Sequence, residues 1–527
     1  MLNSRYWSTT LPGLLSAGLI VCFIFGALLS LWLIAPTFDI QQIWQDPYLR
    51  HITAFSFIQA TYSTLLSLAI AIPLAESLSH RRFPGRRWLL RLFSLTQVLP
   101  VLIVVVGLLA IYGNSGLLNR WLGTSFSIYG LSGILLAHVF FNAPLSAKLL
   151  LISIESIPVQ QHQLAAHLGL NRWQRFQRLA WPRIRQQIPH VCGLVFMLCF
   201  TSFATVMALG GGPKATTIEL AIYQAIRFDF DLGLGAMLAV WQMGICTLLV
   251  LVINRFAKPV ESAPAQGFSR YPHQDSLPQR GWDIMWLSIG FLLVLPPFIA
   301  VVSAGINTRT FDVLLSPQLW QATLHSLHIA LFASLIAIAL GITLLNTSRH
   351  WRLANKRRAA DSLELAGSLI LVTPGLVIST GLFLMVRHFS RVYDHALWLV
   401  ITVNALMAMP FVLKALSQPL LHCAQQFNPL CESLGMRGVQ RWRRVEWPLL
   451  APTFVHAFAL AFVLSLGDLT AIALFGSQDF QTLPLYLFQL MGSYQLEAAA
   501  VVALVLLVLS LSLFALAEKC LVKRQST

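Results

Sequence analysis

Charge is what this sequence has least of. Only 11% of its 527 residues are Asp, Glu, Lys or Arg, against about 25% in soluble domains, which excludes an ordinary water-soluble enzyme. Polar intervals are equally scarce, with 57% hydrophobic residues and a mean hydropathy of +0.70. The seven cysteines (22, 192, 199, 246, 423, 431 and 520) form no CxxC pair and no metal-ligand spacing. They read as small apolar residues, not as a disulfide framework or a metal site. The histidines carry no ligand spacing either, and His138, His325 and His456 read as polar neighbours between helices. No GxxxxGK[ST] phosphate loop occurs. Gly210-Gly-Gly-Pro-Lys214 comes nearest, but Pro213 separates its glycines from Lys214. On this reading the chain is no nucleotide hydrolase, is not an enzyme, and implies no cofactor.

Long apolar runs are what it has instead. A helix that crosses a bilayer needs about 20 predominantly apolar residues. Twelve such stretches occur, at 12–35, 56–78, 92–112, 132–153, 188–210, 232–254, 283–305, 322–346, 364–386, 396–418, 453–475 and 497–517. Those around Pro100, Pro374 and Pro410 are interrupted. The first stretch is too long for a signal peptide and ends without a cleavage site, so it reads as a retained helix. The predicted fold is an all-α polytopic membrane protein of about twelve transmembrane helices. Its net charge of +16 follows from topology. With both termini in the cytoplasm, 29 of the 36 Lys and Arg residues fall on the cytoplasmic side. Seven (Arg50, Arg120, Lys214, Arg227, Arg309, Arg387 and Arg391) fall outside. That is the positive-inside asymmetry, and no nucleic acid is needed to explain the charge.

The chain repeats itself. The segment 255–281, rich in Pro, Ser and Gln, reads as a cytoplasmic linker between a first half (1–254) and a second (282–527), six helices each. HLGLNRWQRFQRLAWP at 167–182 returns as SLGMRGVQRWRRVEWP at 433–448. Leu168, Gly169, Arg175, Arg178, Trp181 and Pro182 reappear at a constant offset of 266 as Leu434, Gly435, Arg441, Arg444, Trp447 and Pro448. Even-numbered halves give parallel repeats related by an axis along the membrane normal, with a path between them. Gly169 and Gly435 suit the left-handed end of one short helix, Asn171 can cap the next, and Pro182 or Pro448 would close or redirect it. Trp173, Phe176 and Leu179 form an apolar stripe, matched by Val439, Trp442 and Val445, and a basic row of Arg172, Arg175 and Arg178 flanks the first stripe. Two equivalent amphipathic elements in corresponding loops fit a partner that itself comes in two copies.

A glycine between two short helices, with an apolar residue before it and a proline thirteen positions after, resembles the EAA loop of ABC-importer permeases. The acid that family places six residues before the glycine is Gln163 in one copy and Pro429 in the other. The resemblance runs the full length and is nearest the fused permeases of bacterial thiamine and thiamine pyrophosphate importers. Arg82-Phe-Pro-Gly-Arg86, Gly133–Asn142, Leu198–Thr205, Leu209–Ala225 and Leu474–Phe480 carry it. It implies a type I importer fold in the inner membrane. It also implies two copies of a cytoplasmic ABC ATPase gripping the two loops and a periplasmic thiamine-binding protein delivering thiamine and its phosphates.

A thiazolium cation and a flat pyrimidine call for aromatic faces and a carboxylate along the path. Asp468, inside an apolar stretch, is the clearest ionisable candidate, with a shared structural role as the alternative. Glu219 and Tyr223, with Phe228, Phe230, Asp229 and Asp231, lie in the outer loop between helices five and six; Tyr486, Phe488 and Tyr494 lie in the matching loop. They read either as elements meeting the binding protein or as interfacial anchors. A fused permease for ferric iron or another small solute, and an ion-coupled twelve-helix transporter, are the competing functions.

Overall fold

The computed structural model describes every residue except Met1, 35–39, 115, 124–126, 257–275, 372, 390–391, 437 and 523–527. Most of the linker expected at 255–281 therefore lies outside the described residues. In hydrocarbon each backbone N–H and C=O must find a partner within its own segment, and the described chain is accordingly built from helices, with no strand among the described residues.

In the first half the principal helices are α1 (Leu2–Ile34), α2 (Pro47–His80), α3 (Arg86–Leu95), α4 (Val101–Tyr112), α5 (Leu131–Glu155), α6 (Val159–His167), α7 (Arg172–Phe200), α8 (Phe203–Leu209), α9 (Ile218–Arg227) and α10 (Leu232–Phe256). The second half repeats the order: α11 (Leu277–Gly305), α12 (Pro317–Leu353), α13 (Arg357–Ser368), α14 (Gly375–Phe389), α15 (Ala396–Ser433), α16 (Trp447–Leu466), α17 (Thr470–Phe475), α18 (Leu483–Gly492) and α19 (Leu496–Val522). Among the described residues ten helices are long and apolar enough to span a membrane, and the pair α7 and α8, bent by 52°, makes an eleventh. The stretch expected at 364–386 is instead split at Pro374 into α13 and the short α14, and that at 92–112 is split at Pro100. Proline supplies no N–H and crowds the preceding turn, and these two runs break there. The interruption expected at Pro410 does not occur: Pro410 lies inside the continuous helix α15.

The cores of the two halves match. Helix α2 packs on α5 and α7, as α12 packs on α15 and α16. The first helix of each half, however, crosses to the other. Helix α1 lies against α12 and α14, and α11 against α2 and α4. Two glycines make these crossings possible. A Cβ on Gly107 would sit 2.5 Å from the Pro297 carbonyl oxygen, and one on Gly381 would sit 2.4 Å from that of Ala27. Hydrogen bonds reinforce the second crossing: Ser30 Oγ donates to the Gly381 carbonyl at 2.6 Å, and the Ser16 and Thr343 hydroxyls lie 2.7 Å apart. Close backbone approach through small residues is the main source of helix association in lipid.

Gly107→Val and Gly381→Val should each displace an exchanged helix. Overpacking of this kind costs about 1–3 kcal/mol, so the thermal midpoint of the detergent-purified protein should fall for both. A wild-type midpoint for either variant would show that its crossing is looser than described.

Candidate functional site

The two repeated segments fold alike, on the basic side of the protein. Helix α6 ends at Gly169 (φ 63) and α15 ends at Gly435 (φ 65). The closing bonds correspond residue for residue. Gly169 N–H donates to Ala166 and Leu170 N–H to Ala165, while Gly435 N–H donates to Glu432 and Met436 N–H to Cys431, at 2.8–3.1 Å. This satisfies the last carbonyls of a helix through a left-handed residue. Asn171 then caps α7 as its sequence implies: its side chain accepts from Gln174 N–H at 2.8 Å, and Gln174 Oε1 accepts from Asn171 N–H at 3.0 Å.

The prolines act differently from the expectation. Neither Pro182 nor Pro448 ends a helix. In an α-turn each ring would press on the carbonyl four residues back, and a single wide π-turn over Phe176–Ala180 and Trp442–Glu446 relieves the clash. Trp181 N–H reaches back to Phe176 and Trp447 N–H to Trp442, so the helix continues through the π-turn without a break. Such π-turns recur at functional positions.

What the segments present outward includes a matched set of apolar side chains. Leu164, Leu168 (64% exposed) and Trp173 (63%) stand free on the first copy; Leu430, Leu434 (64%) and Trp442 stand free on the second. The stripe is therefore divided. Trp173 stacks on Phe176 at 5.5 Å and Phe176 meets Trp181 at 6.0 Å, turning inward; Trp442 meets Trp447 at 5.1 Å. The Val439 side chain lies outside the described residues. Arg178 and Arg444 are exposed beside the leucines, whereas Arg175 and Arg441 are half-buried. Arg175 Nε donates to the Leu170 carbonyl at 2.8 Å, and Arg441 pairs with Glu446 at 2.9 Å.

Arg172, the first member of the expected basic row, faces inward. Its Nη2 donates to Asp283 Oδ1 at 2.5 Å and its Nη1 to Asp283 Oδ2 at 3.1 Å, while Nε reaches Glu76 at 3.2 Å. Arg81 adds a bond to Asp283 Oδ2 at 2.6 Å. Asp283 is fully buried and belongs to the exchanged helix α11; Glu76 belongs to α2. A fork of this geometry is the strong form of an Arg–carboxylate pair. The second copy has Gly438 at the corresponding place and uses another tie, Arg349 and Arg441 converging on buried Glu446 at 3.1 and 2.9 Å. None of these acids was among the residues singled out from the sequence. The signal available was that Glu76 and Asp283 fall inside apolar stretches, where a carboxylate needs a partner.

The residues considered for a substrate path do not form one cluster of contacts. Asp468 sits at the break between α16 and α17, where Oδ1 accepts from Thr470 N–H at 3.3 Å and Oδ2 from Ala471 N–H at 3.1 Å. Its carboxylate thus caps the start of α17. The break faces the other half: a Cβ on Gly467 would lie 2.6 Å from the Pro100 ring. Glu219 is buried on α9 beside Gln242, and burial drives its carboxyl well above the usual range, the Gln242 amide opposing the shift. Tyr223 is buried edge-on between Phe203 (5.3 Å) and Phe228 (5.6 Å), and Tyr486 is half-buried on α18. Helices α9 and α18 hold equivalent places, with Ile218 N–H donating to Ser56 and Leu483 N–H to Ser326. Among the described residues no group of acids, histidines and cysteines could hold a metal.

Two matched halves of apolar helices, each carrying the same exposed segment on one face, define a polytopic transport component. The sequence model of the family described as binding-protein-dependent transport system inner membrane component matches residues 63–260 and again 337–520. The chain belongs to that family and is a multi-pass inner membrane protein. It is 46% identical to the thiamine transport system permease protein ThiP of Salmonella typhimurium (strain LT2), over 97% of this chain and 96% of that one. It is likewise 46% identical to ThiP of Escherichia coli (strain K12), over the same shares. A putative ferric transport system permease protein, FbpB 1 of Haemophilus influenzae, is 22% identical over 80% of this chain and 69% of its own length.

Asn keeps one of the two accepting oxygens, so Asp468→Asn should lose less thermal stability than Asp468→Ala, which loses the whole cap and about 1 kcal/mol. Parallel unfolding curves of the two variants check this. Equal losses for Asn and Ala would show that one accepting oxygen does not serve as a cap at this break.

Proposed function

We propose that this chain is the membrane permease of an ATP-driven importer that moves thiamine, and its phosphates, from a periplasmic binding protein to the cytoplasm. Two copies of a separate cytoplasmic ATPase grip the segments around Gly169, Trp173 and Pro182 and around Gly435, Trp442 and Pro448. Both termini and both segments then lie in the cytoplasm, in keeping with the excess of Lys and Arg there. The observation that carries this reading is the pair of exposed leucine and tryptophan clusters at one constant offset. Apolar side chains standing free on a basic aqueous face mark a partner's groove. Thiamine is favoured over ferric iron by near-full-length identity of 46% to thiamine permeases against 22% to the ferric one.

The mechanism follows from the continuity of the helices. Closure of an ATPase dimer around ATP draws the two gripped segments together. Because α7 continues unbroken through its π-turn, displacement at Trp173 is passed along the helix toward the bend at Thr201–Ser202. Through Arg172 it also pulls on Asp283 and hence on α11, the helix lent by the second half. The second segment acts through Glu446 on α12. The halves rotate, the contact between Gly467 and Pro100 parts, and a path opens toward the binding protein. No bond is made or broken by the permease itself. An ion-coupled transporter would have no use for two identical cytoplasmic grips.

Leu168→Asp and Leu434→Asp each place a charge in the proposed groove, and loss of one buried anchor costs an interface roughly 10-fold or more in affinity. Each variant should lose most of the ATPase that co-purifies with the wild-type permease, and ATP-dependent thiamine uptake should fall with it. Full retention of the ATPase by the double variant, or uptake driven by a proton gradient without ATP, would rule this reading out.

A further inference from the structure

Three residues other than glycine have a left-handed backbone among the described residues: Phe230 (φ 55), Asn355 (φ 59) and Tyr494 (φ 61). For Asn the conformation is common; for a bulky aromatic residue it is an outlier that the surroundings must enforce. The two aromatic outliers occupy one position in the repeat. Phe230 lies between α9 and α10 and Tyr494 between α18 and α19, each two residues before the next helix begins. Both turns are fixed by backbone bonds of 2.9 Å, from Asp231 N–H to Ala225 and from Gln495 N–H to Leu490. Glycine would serve either turn without strain.

The strain leaves a ring exposed. Phe230 is 79% exposed and Tyr494 is 91% exposed, whereas a helix or strand position would let such rings lie against the fold. Beneath the first, Phe228 is braced edge-on by Tyr223, which is itself braced by Phe203. The second stands beside Tyr129 of the other half, whose phenol is raised by burial and, less, by its neighbour Tyr494. Exposed carboxylates accompany both points: Asp229 and Asp231 flank Phe230, and Glu497 follows Tyr494. Strained residues retained at equivalent sites point to function rather than packing, and rigid, exposed aromatics are the residues that anchor protein interfaces.

We propose that Phe230 and Tyr494 form a two-point docking site on the outer face for the soluble solute-binding protein. Each ring enters an apolar pocket rimmed by Lys or Arg on that partner. The proposal rests on the importer reading above and specifies which residues receive the partner. One ring on each half lets a single partner straddle the pseudo-two-fold axis and respond when the halves rotate. The acidic neighbours steer a basic rim toward both points, so association is weakened by salt.

The test uses the assembled permease–ATPase complex in lipid nanodiscs, titrated with thiamine-loaded binding protein, with Phe230→Gly, Tyr494→Gly and the double variant. Glycine removes the ring and relieves the backbone, so the thermal midpoint should equal or exceed wild type. The binding-protein concentration that half-saturates ATPase stimulation should rise about 10-fold per site, and the wild-type value should rise with added salt. Wild-type half-saturation in the double variant overturns the proposal and leaves the importer reading standing. A lowered thermal midpoint with unchanged half-saturation also overturns it, identifying the rings as lipid-interface anchors. Absence of stimulation in the wild-type complex overturns both readings.

Discussion

The exchange of first helices is the constraint on which the rest of this structure depends. Each half buries its partner's leading helix through a glycine that brings two backbones into contact, Gly107 on Pro297 and Gly381 on Ala27. Neither half is then a complete body without the other, and rotation of one must carry a helix that the sequence assigns to its neighbour. The Arg172–Asp283 fork turns this interlock into a connection with the face that carries the repeated segments. It fastens the start of α7 to α11 near the N-terminal end of α11. Breaking one partner of a buried pair of this kind costs about 3–5 kcal/mol, enough to hold segment and helix together through a working cycle.

The two grips are alike in outline and unlike in attachment. Their helix ends, left-handed glycines, π-turns and exposed leucines superimpose along the sequence at one offset. Their anchors do not. Arg172 crosses to the exchanged helix of the other half, whereas Gly438 at the same position offers no side chain, and the second segment is tied to its own half through Glu446 and Arg349. A single fused chain can evolve its two copies independently. Here the exposed leucines recur in both copies while the connection behind them differs.

Much of this was legible in the amino-acid sequence. Apolar runs of about 20 residues announce spans because lipid leaves the backbone no other solution. The repeated patch at 167–182 and 433–448 announced both segments, and Asn171 capped as its residue type requires. Three features were not legible. That α1 and α11 trade places depends on contacts between residues hundreds of positions apart. Arg172 looked like one member of an exposed row, since its partner Asp283 lies 111 residues away. Pro182 and Pro448 read as helix ends because a proline rule written for α-turns does not foresee a π-turn that absorbs the ring. Asp468 could be read either as a cation site or as a structural acid, and only the positions of the Thr470 and Ala471 N–H groups favour the cap.

Distances between spin labels in the assembled complex test the interlock most directly, with one pair at Leu168 and Leu434 and a second at Leu168 and the exposed Gly281 at the start of α11. On addition of ATP the first distance should shorten by several ångström while the second stays fixed, because the grip and the exchanged helix move as one. A second distance that changes as much as the first would contradict the account.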